Sequence, residues 1–211
     1  MVFKRFFKRG QASDEVYLLY RSVVAQARAA AFYEHLGVPD TLDGRYDLLV
    51  LHCHLVARRL RLEGEAGVAL GQALFDLMMS DMDRALREMG VGDLSVGSRV
   101  KAMARAYYGR AKAYDEALAA GEGPLSAALG RNVYGTLGDD RGPQAARIEA
   151  QLAALTSHVL AQVAHLAAAG RRALLAGEID FLPPPEANSA PAGGESTPTG
   201  GESTPAGGES N

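Results

Sequence analysis

The residues best suited to hold a metal ion or a haem are the paired histidines around one cysteine. His52 and His54 flank Cys53, the single cysteine of the chain. Residues two apart on a helix point about 200° away from each other, so these two imidazoles do not share an ion. We therefore expect Cys53 in the core, with both histidines near the core's edge.

A second histidine pair, His158 and His165, lies seven residues apart and so on one helix face, with Gln162 between them. Helix bundles that bind two iron ions use a Glu-x-x-His spacing, and no carboxylate stands at that spacing here. A haem or metal enzyme built on this pair is the least favoured alternative. The sequence predicts no metal site and no cofactor.

The sequence also lacks the common catalytic motifs. It contains no Gly-rich phosphate loop, no serine nucleophile elbow and no zinc-protease helix motif. Asp81 and Asp83 are neighbours in sequence but point in different directions, which makes them a poor metal pair. These observations favour a protein that is not an enzyme.

The bulk composition restricts the partners. A net charge of -3 and a pI near 6.0 argue against nucleic acid as the main partner. No apolar run approaches the roughly 18 residues of a membrane span, and no secretion signal is recognisable. A single cysteine among 211 residues excludes an internal disulfide.

The first nine residues have the pattern of a helix that lies on a membrane surface. Aromatic rings would occupy one helical face and cations the other, so the rings would enter the headgroup boundary and the cations would meet anionic lipid. Docking of the same rings on the protein's own core is an equally favoured alternative. The predicted membrane-binding residues are Phe3, Lys4, Arg5, Phe6, Phe7, Lys8 and Arg9.

Hydrophobic periodicity predicts an all-α fold, a single bundle of about five to six helices. The basic segment is expected over residues 1–12, the helical domain over 13–182 and a disordered acidic tail over 183–211. The tail is rich in Gly, Pro, Ser and Thr and carries four glutamates without a cation, so it cannot bury enough apolar surface to fold. The first predicted helix begins after Ser13, its N-cap, and runs to about Leu36. The others run from Arg45 to Leu62, Val68 to Met89, beyond Ser95, Leu125 to Tyr134, and from Pro143 past Leu166.

The third predicted helix has two distinct faces. Asp76, Ser80, Asp83, Arg84 and Arg87 form a polar stripe, and Asp83 and Arg87 have the i,i+4 spacing of an ion pair. A solvated face explains this stripe at least as well as a recognition surface does. The opposite face carries Met78, Met79, Met82 and Met89, which suit either an ordinary core or an adaptable docking groove.

The two blocks GVPDTLDGRYDLLVLHCHLVARRL and ALFDLMMSDMDRALREMGVGDLSVGSRVKAMARAYYGR resemble the ubiquinol–cytochrome c chaperone family, the assembly factors for cytochrome b of the bc1 complex. The likeness covers roughly Val16 to Leu175. It implies a helical, non-enzymatic domain; the mitochondrial members bind newly made cytochrome b and work with a small partner protein at the inner membrane. The compact, Ala- and Arg-rich sequence favours a bacterial member, cytoplasmic and peripheral on the inner membrane.

Carried over onto this chain, the resemblance implies partner-binding residues in three places: the loop before the second helix, the third helix and the fourth helix. Tyr107 and Tyr114 are expected in the core, whereas Tyr108 is expected to face a partner. The expected partner-binding residues are Asp40, Arg45, Asp47, Asp76, Asp81, Asp83, Arg84, Arg87, Glu88, Tyr108 and Arg110.

These observations favour an assembly chaperone that binds cytochrome b, or another bc1 subunit, through a Met-lined face oriented by the Asp/Arg stripe. The alternative function is a helical module that binds an isoprenoid or quinone-like lipid between its helices. Co-purified lipid and a deep apolar cavity would favour that alternative.

Overall fold

Helices account for all the regular structure in the described part of the chain, residues 13–137 and 143–185 of this computed structural model. Six helices have 12 residues or more and two have five, which confirms the all-α prediction. The predicted membrane-binding segment and the chain beyond residue 185 lie outside the described residues. The helices are α1 (Asp14–Ala27), α2 (Ala30–Glu34), α3 (Leu42–Leu60), α4 (Gly64–Glu88), α5 (Asp93–Ala120), α6 (Glu122–Val133), α7 (Pro143–Ala168) and α8 (Arg171–Leu175).

Helix α3 is the centre of the bundle, packed by α1, α4, α5, α6 and α7. Its apolar middle predicts one buried stripe, but the structure also buries Leu48, Leu51, His52 and His54. A helix surrounded on all sides needs no solvated face along its middle turns. The prediction that the two histidines lie at the core's edge is wrong, since His52 and His54 are 1% and 0% exposed.

The predicted first helix is broken after Ala27, and a five-residue helix, α2, follows. Phe32 comes nine residues after Val23, so a continuous helix would point the two side chains about 180° apart. Val23 and Phe32 are both 0% exposed. Extended backbone at Ala29 (φ -61°, ψ 126°) redirects the chain and brings Phe32 into the core.

Several helix ends agree with their predicted signals. Helix α1 begins after Ser13, α7 begins at Pro143, and Gly90 follows the end of α4 with a positive φ of 80°. Helix α4 starts at Gly64, before the predicted Val68, because a short 3-10 turn joins it directly to α3. None of the described helices has both the length and the apolarity to cross a membrane.

An ionic network fastens the α3–α4 junction to the end of α7. Arg59 donates to the carbonyls of Leu166 (3.0 Å) and Ala169 (2.8 Å) at the C-terminal end of α7. The Leu166 carbonyl also accepts from the backbone N–H of Ala169 at 3.2 Å. Glu63 accepts from Arg59 at 2.5 Å and from Arg171 at 2.8 Å. The Glu63 carboxylate therefore pairs with two arginines, and these three side chains hold α3, α7 and α8 together.

Residues 179–185 form a segment without regular secondary structure after α8, hereafter the C-terminal strap. The side-chain amide of Gln162 pairs with the backbone of Leu182 in both directions, at 2.7 and 3.1 Å. The Leu182 carbonyl also accepts from Gln26 Nε2 at 2.8 Å. The strap is thus fixed between α1 and α7 at the point where the described chain ends.

Candidate partner-binding surface

An open groove of about 720 Å³ lies between α1 and α4, hereafter the α1–α4 groove. Leu18, Val24 and Ala85 give it apolar surface, and Tyr17, which is 50% exposed, adds an aromatic ring. Charged side chains complete the lining. They are Asp14, Arg21 and Arg28 from α1, and Asp81, Arg84 and Glu88 from α4.

The acidic groups on the α4 side of the groove already have partners. Tyr20 donates its hydroxyl to Asp81 at 2.8 Å, and burial together with this carboxylate raises the pKa of Tyr20. Arg84 pairs with Asp81 and lies 3.9 Å from Glu88. This wall therefore presents two carboxylates on either side of one arginine, and these three expected partner-binding residues meet on it.

The polar stripe of α4 is a solvated face crossed by ion pairs. The predicted Asp83–Arg87 pair is confirmed at 2.7 Å, and Arg87 also reaches Asp93 at 2.5 Å, across the turn into α5. Asp93 is 87% exposed, so solvent screens this cluster strongly. Asp83 and Arg87 are available to a partner, but they lie apart from the α1–α4 groove.

The prediction of a Met-lined docking face on α4 is wrong. Met78 and Met79 are 0% and 6% exposed and lie in the main core. Of the four methionines on this face, Met89 is 53% exposed, while Met82 packs partly buried against the core. The apolar face of α4 packs against other helices of the bundle, as the alternative of an ordinary core predicts.

The aromatic predictions for α5 agree with the structure. Tyr107 and Tyr114 are 5% and 0% exposed, whereas Tyr108 is 51% exposed. The ring of Tyr108 lies 5.0 Å from that of Phe75 and near Asp76, whose pKa is raised by partial burial. Asp76 accepts a hydrogen bond from Gln72 at 2.8 Å. Tyr108 and Asp76 thus form a second accessible patch, between α4 and α5.

The loop before α3 holds an exposed ion pair. Arg45 contacts Asp40 at 2.6 Å, and this pairing lowers the pKa of the Asp40 carboxyl. The nearby Gly44 has a packing role, since a Cβ at that position would lie 2.0 Å from the carbonyl oxygen of Pro39.

Asp47 and Arg110, both expected to bind a partner, lie inside the seam between α3 and α5. Asp47 is 4% exposed and its carboxylate is 2.7 Å from the Arg110 guanidinium. Burial raises the pKa of Asp47 to about 6, although Arg110 acts in the opposite direction. The guanidinium also lies 5.9 Å from the centre of the Tyr46 ring. This pair joins two helices, and only the Arg110 side chain, 23% exposed, remains partly accessible to a partner.

The buried histidines form no ion site. His52 and His158 each place their rings edge-on to Phe32, at 5.3 and 5.5 Å. Burial lowers the pKa of both histidines to about 4. Across the described chain, no three His, Cys, Asp or Glu side chains converge as a metal site requires. His165 lies instead 3.3 Å from Asp180 of the strap.

The sequence interpretation missed the α1 side of the groove. Tyr17, Tyr20, Arg21 and Arg28 are not among the predicted partner-binding residues. Tyr17, Arg21 and Arg28 share one helical face, at spacings of four and seven residues. The sequence alone shows that these three residues share a face. It does not show that this face lines a groove, because the groove depends on α4 lying beside α1.

Comparison with known proteins gives a consistent result. The family profile described as ubiquinol-cytochrome C chaperone matches residues 34–181. The ubiquinol-cytochrome-c reductase complex assembly factor 1 of Xenopus laevis is 27% identical over 166 residues, 78% of this chain and 79% of the frog protein. The corresponding protein of Mus musculus is 26% identical over 171 residues, 81% of this chain but 55% of the mouse protein. The chain therefore spans about half the length of the mouse relative.

A solved structure shares the fold. The crystal structure of the Cbp3 homolog from Brucella abortus superposes with a TM-score of 0.69 at 36% sequence identity. The match covers 86% of this chain and 97% of that chain. By profile, sequence and fold together, the chain belongs to the ubiquinol-cytochrome C chaperone family.

Proposed function

We propose that this protein is a non-enzymatic assembly chaperone that binds cytochrome b and promotes assembly of the ubiquinol–cytochrome c reductase (bc1) complex at the membrane. The observation that supports this most is the family match, which extends over residues 34–181 and so over most of the helical bundle. Relatives named as assembly factors of this reductase align with about four-fifths of the chain.

The α1–α4 groove is the surface we propose for the client. Tyr17 and the apolar floor would cover a hydrophobic client segment, because aromatic rings bury large area at low entropic cost. Asp81, Arg84 and Glu88 would orient that segment, since charged rims add specificity more than affinity.

The remaining expected residues would serve a second contact, to a small assembly partner or another bc1 subunit. Asp40 and Arg45 lie exposed in the loop before α3. Asp76 with Tyr108, and Asp83 with Arg87, lie exposed or half-buried on α4 and α5. Asp47 and Arg110 would contribute indirectly, by holding α3 against α5.

Deletion of the gene in its host tests the function. We expect the assembled, haem-loaded bc1 complex to fall several-fold, because unprotected cytochrome b is lost before haem and partner subunits arrive. The measurement is the b-type haem absorbance of membranes together with native-gel detection of the complex. Normal levels of assembled bc1 complex in the deletion strain would refute the proposal.

Complementation then tests the groove. Wild-type protein should restore assembly, whereas a Tyr17→Ala/Arg84→Glu double variant should restore much less and should crosslink poorly to cytochrome b. Lys112→Ala is the matched control, because Lys112 is 78% exposed and lies on α5, outside the groove. Co-purification of an isoprenoid lipid with a protein that does not crosslink to cytochrome b would favour the lipid-binding alternative instead.

The membrane contact is proposed for the first nine residues. Phe3, Phe6 and Phe7 would enter the headgroup region, and the four adjoining cations would meet anionic lipid. Removal of residues 1–9 should reduce co-sedimentation with anionic liposomes several-fold. Unchanged co-sedimentation would instead favour docking of the phenylalanines on the protein itself.

A further inference from the structure

The larger part of α5 carries positive charge without any carboxylate. Between Leu94 and Tyr114 the sequence contains no Asp or Glu, although the whole chain has a net charge of -3. A basic helix of this kind is typical of surfaces that contact an anionic partner. The cations of this stretch are Arg99, Lys101, Arg105, Arg110 and Lys112.

Two of these five cations are neutralised within the chain. Arg110 lies 2.7 Å from buried Asp47, and Lys112 lies 3.8 Å from Glu116. Asp93, at the start of α5, is itself engaged by an arginine of α4 at 2.5 Å. These carboxylates therefore do not compensate the charge of residues 99–105.

The other three cations, Arg99, Lys101 and Arg105, are exposed, and none forms an ion pair in the part of the chain that the structure describes. On a helical projection Lys101 and Arg105 lie within about 40° of Leu94, on the side opposite the buried Tyr107. Leu94 is 100% exposed. Leu94, Lys101 and Arg105, hereafter the α5 outer face, form a line about 17 Å long, with Arg99 on its flank.

Leu94 indicates which anionic partner fits this face. A single exposed leucine is common on a protein surface, but this one lies in line with two unpaired cations, and Ser98 and Ala102 between them are small. At an anionic bilayer the cations would meet the lipid phosphates while the leucine entered the headgroup boundary. An acidic peptide or a nucleic acid would use only the cations and would leave Leu94 in water. The combination therefore favours a membrane surface.

We propose that the α5 outer face binds an anionic membrane surface, with Leu94 in the headgroup boundary and Lys101 and Arg105 on the lipid phosphates. Each cation held near such a surface strengthens binding about fivefold, so the contact is reversible. It is made by residues of the folded bundle and is separate from the contact proposed for the first nine residues. It also does not depend on binding to cytochrome b.

An environment-sensitive fluorophore on Leu94→Cys in the full-length protein tests this contact directly. Cys53 is buried and burial raises the pKa of its thiol, so it stays unlabelled. We expect a blue shift and at least a twofold rise in emission with vesicles that contain phosphatidylglycerol, and no change with phosphatidylcholine vesicles. Salt should reverse the response. The same label on Ser157→Cys, exposed on α7, should not respond.

Charge variants of the labelled protein decide the outcome. Lys101→Glu/Arg105→Glu should abolish the response at residue 94. Arg147→Glu/Arg172→Glu is the matched control, because it changes the net charge equally at exposed positions of α7 and α8, and it should respond as the unreversed protein does. Thermal melting checks that both variants fold.

Three results would overturn the proposal. The first is a label at residue 94 that does not respond to phosphatidylglycerol vesicles, and the second is a response that survives in Lys101→Glu/Arg105→Glu. The third is the same response to soluble poly-glutamate without vesicles, since the face would then belong to an acidic protein partner. No client is present in these measurements, so a failure of the assembly function leaves them unaffected.

Discussion

At the scale of single residues, Asp47 and Arg110 were both predicted to bind a partner, but in the structure they form an ion pair with each other. Both side chains have the charge of recognition residues, and both lie in the blocks that carry the family resemblance. In the folded chain their partners are each other, at 2.7 Å. Removing one partner of a buried ion pair is costly, because the remaining charged group stays desolvated without its counterion.

Replacement of Arg110 by methionine should therefore lower the free energy of unfolding by about 3 kcal/mol at pH 7.5. The Asp47→Leu/Arg110→Met double variant should recover much of that loss, because no unpaired carboxylate remains. Urea denaturation measures both, with exposed Arg105→Met as the control. Equal losses in the single and double variants would contradict the interpretation of the pair as a coupled unit.

At the scale of elements, α8 and the strap are held against α1 by a turn that requires glycine. Gly177 follows α8 with φ 79°, and its N–H and that of Glu178 donate to the carbonyls of Leu174 and Ala173. Gly90 ends α4 with φ 80° and the same bonding pattern. The two positions differ in surroundings. A Cβ at Gly177 would lie 2.4 Å from the Glu15 carbonyl oxygen, whereas nothing lies within 4 Å at Gly90.

Alanine at Gly90 should cost about 1 kcal/mol, the penalty of left-handed backbone for a residue with a Cβ. Alanine at Gly177 should cost at least twice as much, because α8 must also move away from α1. Thermal unfolding of the two variants measures the difference. Hydrogen exchange should increase in the strap for Gly177→Ala alone, and equal behaviour of the two variants would show that the α1 contact is unimportant.

At the scale of the whole molecule, buried neutral histidines make stability depend on pH. Burial lowers the pKa of His52, His54 and His158 to about 4. The unfolded chain takes up these protons near pH 6.5, so between about pH 6.5 and 4 it binds more protons than the folded chain. Lowering the pH across this window therefore lowers the free energy of unfolding. Asp47, with its pKa raised to about 6, has the opposite effect on stability, but this one carboxyl opposes three histidines.

The melting temperature should accordingly be flat above pH 6.5 and fall steadily below it. His158→Gln should reduce this slope, because it removes one of the three groups, each contributing on the order of 3 kcal/mol at the acid limit. Thr156→Val, which is buried on the same helix and does not titrate, should keep the wild-type slope. A wild-type melting temperature that does not change between pH 7 and 4.5 would rule out this account.

Much of this architecture is local and could be read from residue spacing. The six long helices, the Asp83–Arg87 pair, the stop at Gly90 and the buried Cys53 all follow from helical periodicity and capping, which involve residues close together in the chain. The family likeness was likewise carried by two continuous blocks.

Other features depend on which helices lie side by side, and periodicity holds no information about that. The break at Ala29 exists because Phe32 must enter the space between His52 and His158, far away in sequence. Met78 and Met79 became core because α4 is packed on that face, and Asp47 became internal because α5 covers it. The α1–α4 groove exists only through the packing of two helices that are separated by α2 and α3 in the chain. A surface shared by two elements is a property of their contact and not of either sequence.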